Sequence, residues 1–167
     1  MRSLGKNELK ELLNKNWMTH DAMWFLHCLQ TCGIEKTNEI NTRAAKSMSS
    51  VEVKRYKKVF GIEKAETFED LKTFLEEVFR VIKPEFMKFS ISFPGQNIVR
   101  WEWEPEQCFA YQGVKGLGII DQYQCAIFLR PETWFNELGL TFEVSPQVDV
   151  CMMHTKGECF RDYKFEF

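Results

Sequence analysis

Apolar residues in the first half of the chain recur every three or four positions, and in much of the second half they alternate. Over residues 7 to 32 the spacing predicts helix, in two segments meeting near Asn14 to Asn16. Asn7 is a candidate cap for the first segment and Thr19 for the second, with Gly33 closing the run. Ile34 to Ser47 predicts a further helix. Ser49-Ser50-Val51-Glu52 offers a capping box for another that ends at Gly61. Thr67 opens a fourth, in which Phe68, Leu71, Phe74, Leu75, Val78 and Phe79 form one stripe until Lys83-Pro84 stops it.

The period then switches to two. Met87, Phe89, Ile91 and Phe93 alternate with Lys88, Ser90 and Ser92. After the turn signal Pro94-Gly95-Gln96-Asn97, Val99, Trp101 and Trp103 alternate with Arg100, Glu102 and Glu104. Pro105 to Gly118 reads as loop, because its glycines do not join a strand to a capped helix as a phosphate cradle requires. Residues 119 to 129 lean towards helix. Pro131 suits a first helical position, with Glu132 to Leu138 following and Gly139 ending the turn. Phe142 and Val144 begin a strand before Pro146. Thr155-Lys156-Gly157 then fits the loop of a terminal β-hairpin. The expected fold is α+β, one domain over residues 1–167: N-terminal helices (7–83) packed on a mainly antiparallel sheet of about four strands (84–167).

Composition adds three constraints. Hydrophobic residues make up 44% and aromatics 14%, including fifteen Phe and five Trp, which is enough for a sizeable core. A net charge of −2 and an isoelectric point near 6.0 give no basic face for nucleic acid. The start of the chain lacks the apolar core of a signal peptide, and no apolar run reaches membrane-spanning length, so a cytoplasmic location and no membrane partner are expected. In that compartment the six cysteines stay reduced, which favours metal binding or reactivity over disulfides.

Two constellations carry candidate chemistry. On the first helical stretch Trp17, His20, Trp24, His27 and Thr31 share one stripe, with Asp21 beside it to orient an imidazole. His20, Asp21 and His27 are the candidate catalytic residues. Trp17 and Trp24, with Trp101 and Trp103 from the strand pair, are the candidate walls of a small-molecule site. The bland alternative is a buried amphipathic helix. Cys28 and Cys32, one turn apart, read as packing residues. The second constellation is Cys151 and Cys159, seven residues apart near the terminal turn, with Cys125 and Cys108 upstream. In a three-residue hairpin loop Met153 faces Cys159 and Cys151 lies diagonally on the same face. A four-residue loop pairs His154 with Cys159 and sends Cys151 to the other face. Thiolates favour zinc over magnesium or calcium, so the expected cofactor is zinc, held by Cys125, Cys151 and Cys159. The fourth position falls to Cys108, Asp149, His154 or water.

The tail from Cys151 through Gly157-Glu158-Cys159-Phe160 resembles the closing segment of 4-vinyl reductase-type small-molecule-binding domains. In their zinc-containing sensor versions a third cysteine lies well upstream, where this chain has Cys125. An acidic ligand precedes the first cysteine by three residues, where this chain has Val148. The segment Trp17-Met18-Thr19-His20-Asp21-Ala22-Met23-Trp24-Phe25, with Gly33-Ile34-Glu35-Lys36, is similar to a family of small prokaryotic proteins related to L-2-amino-thiazoline-4-carboxylate hydrolases. The resemblance implies helices packed on an antiparallel sheet, a cavity between the layers, and frequent dimers. Three functions are therefore in play: a small-molecule-binding domain with a structural zinc site, a hydrolase of a C=N or amide bond in a small cyclic substrate, and an interaction module that forms a homodimer through its first helices.

Overall fold

The computed structural model describes residues 2–148 and 150–167. Helix α1 runs from Lys6 to Phe60, α2 from Phe68 to Ile82, α3 from Phe109 to Gly116, α4 from Leu129 to Glu137 and α5 from Met152 to Lys156. Strands β1 (Phe89–Gly95), β2 (Ile98–Trp103), β3 (Thr141–Ser145) and β4 (Cys159–Glu166) form one antiparallel sheet in the order β1-β2-β4-β3. The fold is α+β, as the switch of periodicity predicts. Among the described residues no helix is long and apolar enough to cross a membrane.

Within α1 the backbone of Gly33 is non-helical (φ 74°, ψ 174°), so two helices meet where the sequence places a stop, while the two helices expected after Gly33 are one. No break occurs at Asn14 to Asn16. Ser49, read as part of a capping box, is buried mid-helix and donates its hydroxyl to the Ala45 carbonyl. That bond is the intrahelical alternative open to serine, so a cap signal without a turn beside it is ambiguous. Gly61 does end the helix in the left-handed conformation, and Thr67 caps α2 by accepting from the Asp70 N–H.

The sheet buries one face. In the β2–β4 register Val99 stands opposite Tyr163, Trp101 opposite Arg161 and Trp103 opposite Cys159, and all six side chains are buried on that face. Phe89 stacks on Trp101 with ring centroids 4.6 Å apart, while Phe79 of α2 meets Trp101 edge-on at 5.0 Å. Trp134 of α4, fully buried, joins this layer to α1 through Tyr56. Such aromatic pairs add about 0.5–1.5 kcal/mol each beyond the area they bury. On the outer face Arg100 and Asp162, cross-strand partners, form a two-pronged ion pair with both contacts at 2.7 Å.

Three stretches depart from the expected elements. Phe109–Gly116 is a helix rather than loop, because Tyr111 and Val114 bury one face against the core and outweigh two helix glycines. Residues 119–128 hold only a 3-10 turn at Ile120–Gln122. The terminal hairpin does not form: Met152–Lys156 is a single helical turn closed by left-handed Gly157, and β4 starts at Cys159. Neither hairpin register therefore exists. β4 takes β2 and β3 as its neighbours, and the glycine that suits a hairpin loop serves equally as a helix stop.

The backbone of Gly33 lies in a region that only glycine enters cheaply. A Cβ there would meet nothing closer than Glu35 Oε2 at 3.7 Å, so the penalty for a side chain is conformational. Gly33→Ala is expected to lower the unfolding free energy by roughly 1–3 kcal/mol in urea denaturation. An unchanged midpoint would show that the bend is not needed for the fold.

Candidate functional site

The stripe on α1 is not buried. Trp17 is partly exposed and Trp24 is 63% exposed. His20 Nδ1 lies 3.5 Å from Asp21 Oδ1, and its Nε2 accepts from Trp24 Nε1 at 3.0 Å. His27 bonds to Gln30 on the same exposed surface. His20, Asp21 and His27 line neither the cysteine cavity nor the two large grooves described below. Trp101 and Trp103, 5% and 3% exposed, are core residues. The four tryptophans thus fall into separate places. Trp17 borders an open groove, Trp24 faces solvent, Trp101 sits in the aromatic layer and Trp103 borders the cysteine cavity. Trp101 and Trp103 alternate as the sequence requires, but a buried alternating strand is silent on whether it packs or lines a cavity.

The cysteines behave differently. Cys108 stands at the start of α3, Cys125 in the segment after the 3-10 turn, Cys151 at the start of α5 and Cys159 at the start of β4. These four segments converge, and all four cysteines line one enclosed cavity with Trp103, Tyr123 and Arg161. About 10 Å³ of space lies between them, room for one water-sized sphere. Cys28 and Cys32 stay on α1, the Cys32 thiol facing the Cys28 carbonyl at 3.0 Å.

Burial dominates the chemistry of these thiols. It pushes Cys108 up to about 11, and Cys125 and Cys159 to about 12. Backbone N–H groups pull the other way, those of Tyr111 and Ala110 at Cys108 and that of Ile127 at Cys125. The thiols also feel each other: a charge on Cys108, Cys125 or Cys151 raises the pKa of Cys159 further. At neutral pH without an ion the Cys108, Cys125 and Cys159 thiols are protonated. Among the described residues no three His, Cys, Asp or Glu side chains are arranged to hold an ion as they stand. The donor set is nevertheless chemically suited to a soft cation. Of the alternatives for a fourth ligand, His154 points elsewhere, its Nε2 3.0 Å from Asp121 Oδ1 on the surface. Asp149 lies outside the described residues.

One group around the cavity, Arg161, escaped the sequence reading, and Trp103, expected as a wall of a ligand site, brings an unpartnered N–H. Arg161 occupies an inward position of a central strand and is only 8% exposed. Its Nη1 donates to the Pro146 carbonyl at 2.7 Å and its Nη2 to the Val148 carbonyl at 2.9 Å, with the guanidinium over the Phe128 ring at 5.1 Å. Among the described residues no carboxylate pairs with it within 4.0 Å. The indole N–H of Trp103 is buried and has no hydrogen-bond partner among the described residues. The signal for Arg161 was available: in Cys159-Phe160-Arg161-Asp162-Tyr163 strict alternation puts the arginine on the face of Cys159 and Tyr163.

Two open grooves complete the surface. One, of about 960 Å³, runs between α1 and α4 past Lys46, Lys57, Lys64, Glu132 and Glu137. The other, of about 940 Å³, lies between the two halves of α1 and the end of α2, with Leu13, Trp17, Val51, Arg55 and Val81 on its walls.

No curated protein shows significant similarity to the chain. One family does: residues 2–90, comprising α1, α2 and the first residues of β1, match DUF6125, described as a family of unknown function. The four cavity cysteines lie beyond that segment. Because the match takes in more than half of the 167 residues, the chain belongs to the DUF6125 family.

Proposed function

We propose that this protein is a small-molecule-binding domain whose C-terminal half is held together by one thiolate-bound zinc ion, the metal being structural. One observation carries the reading: cysteines from four separate segments line the same small, enclosed cavity. Four packing thiols have no physical reason to gather, since each serves equally well as a small hydrophobe anywhere in the core. The cavity volume suits a single ion rather than a multinuclear cluster. Cys108, Cys125, Cys151 and Cys159 are the residues that would hold it, and the ion would cross-link α3, the 123–128 segment, α5 and β4. Reduced thiols of this kind belong in a reducing compartment such as the cytoplasm. A ligand of the domain enters by the groove beside Trp17. Hydrolysis finds less support, because His20, Asp21 and His27 sit on an open helix surface that excludes no water.

A second reading, a homodimer through the first helix, rests on a different observation. None of the described residues before Ile34 is buried, yet Leu9, Leu12, Leu13, Trp17, Met23 and Trp24 are all exposed on a helix about 40 Å long. Lys6, Lys10 and Lys15 balance Glu8, Glu11 and Asp21, so a second copy meets no net charge repulsion.

Three outcomes test these readings. Purified protein is expected to contain one zinc per chain by elemental analysis. Cys151→Ser should lose it and fall in stability by several kcal/mol, while His20→Ala keeps it. Equal zinc in wild type and Cys151→Ser would end the proposal. The thiol shifts also set a pH dependence. Folding holds these groups above their ordinary value of 9.0, so the metal-free fold keeps their contribution below about pH 9 and loses it as pH climbs towards 12. Zinc-loaded protein, with no thiol protons to lose, should show a smaller alkaline loss in parallel unfolding titrations; identical curves would contradict thiolate ligation. For the second reading, sedimentation should show wild type at twice the 19.8 kDa chain mass and Leu13→Glu/Trp24→Glu at that mass. A monomeric wild type removes it.

A further inference from the structure

The cysteine cavity is built with more than thiols. A cation on the inward face of a central strand is costly, because leaving water is only partly repaid by two carbonyls and an aromatic ring. Arg161 is in that position, and the cavity it borders is lined by the four cysteines together with Trp103, Tyr111, Tyr123, Met152 and Met153. Trp103, directly across the strand pair from Cys159, borders the same cavity, and its buried indole N–H, like those of Trp101 and Trp134 in the core, has no acceptor among the described residues. Both groups are positive in character. The Glu132 carboxylate lies within electrostatic range of Arg161 but makes no ion pair with it within 4.0 Å, and Trp103 has no acceptor among the described residues; thiolates would give both a closer counterpart. Four thiolates around a divalent ion carry a net charge of −2, and three carry −1. A buried guanidinium offsets one unit of either, and an N–H donor delocalises some of the rest.

We infer that Arg161 and Trp103 are the positioning residues of the cysteine site, Arg161 as its internal counter-cation and Trp103 as an N–H donor to thiolate sulfur, so that the cavity is made for an anionic metal–thiolate centre. This inference rests on the proposed metal site. It adds what makes four crowded thiolates tolerable in an apolar interior: the charges that repel one another meet a fixed positive field rather than water. It also sets a preference, because the field favours soft divalent ions that keep several anionic sulfurs over neutral occupants of the same space.

The test uses the full chain with Zn²⁺ and Co²⁺ as probes. Affinity is measured by competition with a chelator and ligation by the sulfur-to-cobalt charge-transfer bands. Trp103→Phe keeps the ring and removes the N–H, Arg161→Met removes the charge, and Arg161→Lys restores it. Both removals are expected to weaken zinc binding by roughly ten- to a hundredfold, the range for losing a partner of a metal ligand. Both should also move the charge-transfer bands to lower energy, since sulfurs without donors give up electrons more readily. Arg161→Lys should recover most of the affinity. A role in packing alone predicts unshifted bands and no recovery with lysine. If wild type binds the metals and both removals bind within twofold with unshifted bands, the inference is wrong and the site survives. Should wild type bind neither metal, the site itself falls and the inference with it. If Arg161→Met does not fold, Trp103→Phe decides, by the same two readouts.

Discussion

The structure depends on the pairing of β2 with β4. Their register lines up Val99 with Tyr163, Trp101 with Arg161 and Trp103 with Cys159, and thereby decides what lies on the single buried face of the sheet. A slip of one residue would turn Phe160 and Asp162 inward and expose the arginine, the tyrosine and the thiol together. Two interactions hold the register from opposite sides. Outside, the Arg100–Asp162 fork joins directly opposed residues. Inside, Phe128 packs against both members of one cross-strand pair, edge-on to Trp101 at 6.3 Å and 5.1 Å from the Arg161 guanidinium.

Along that face the environment changes from one end to the other. Near Phe165 and Tyr163 it is an ordinary aromatic core, with Phe135 packed edge-on to both and Phe142 edge-on to Tyr163. Towards Arg161 and Cys159 sulfur and one positive charge join an aromatic lining of Trp103, Tyr111, Tyr123 and Phe128. Two half-buried helices, α3 and α5, and the irregular stretch between residues 119 and 128 close over this end. Short elements of this kind bury little surface by themselves, so they are the parts of the fold that gain most from an additional cross-link.

The sequence was most informative where one period ran for a long distance. The stripe of α2 and the alternation of β1 and β2 are read directly, because each is long enough for only one geometry to bury it. Local signals misled where two structures share them. Ser49 with Glu52 spells a helix start yet sits inside a continuous helix, and Gly157 spells a hairpin yet stops a helical turn. The histidine and tryptophan stripe on α1 has helical spacing, but spacing cannot say whether a face meets the core, and this one meets solvent. At the cysteines, positions 108, 125, 151 and 159 line one cavity although the hairpin expected to join 151 and 159 does not form. Chemistry of a residue type survives errors in the path of the chain. Arg161 was missed because charged residues are habitually assigned to surfaces, against the alternation that placed it inside.

The order of the strands has a consequence for how the chain assembles. β4 comes after the other three along the chain yet lies between β2 and β3, so until it is inserted there are a β1–β2 hairpin and a lone β3 strand, both with unsatisfied edges. The β1–β2 hairpin forms from neighbours and is quick, whereas β3 has no partner except β4. Insertion of one strand therefore completes the backbone pairing and delivers the last cysteine to its cavity in a single event. Nascent or truncated chains lacking it would present two sticky margins, which makes this strand the natural point at which chaperones or aggregation compete with folding.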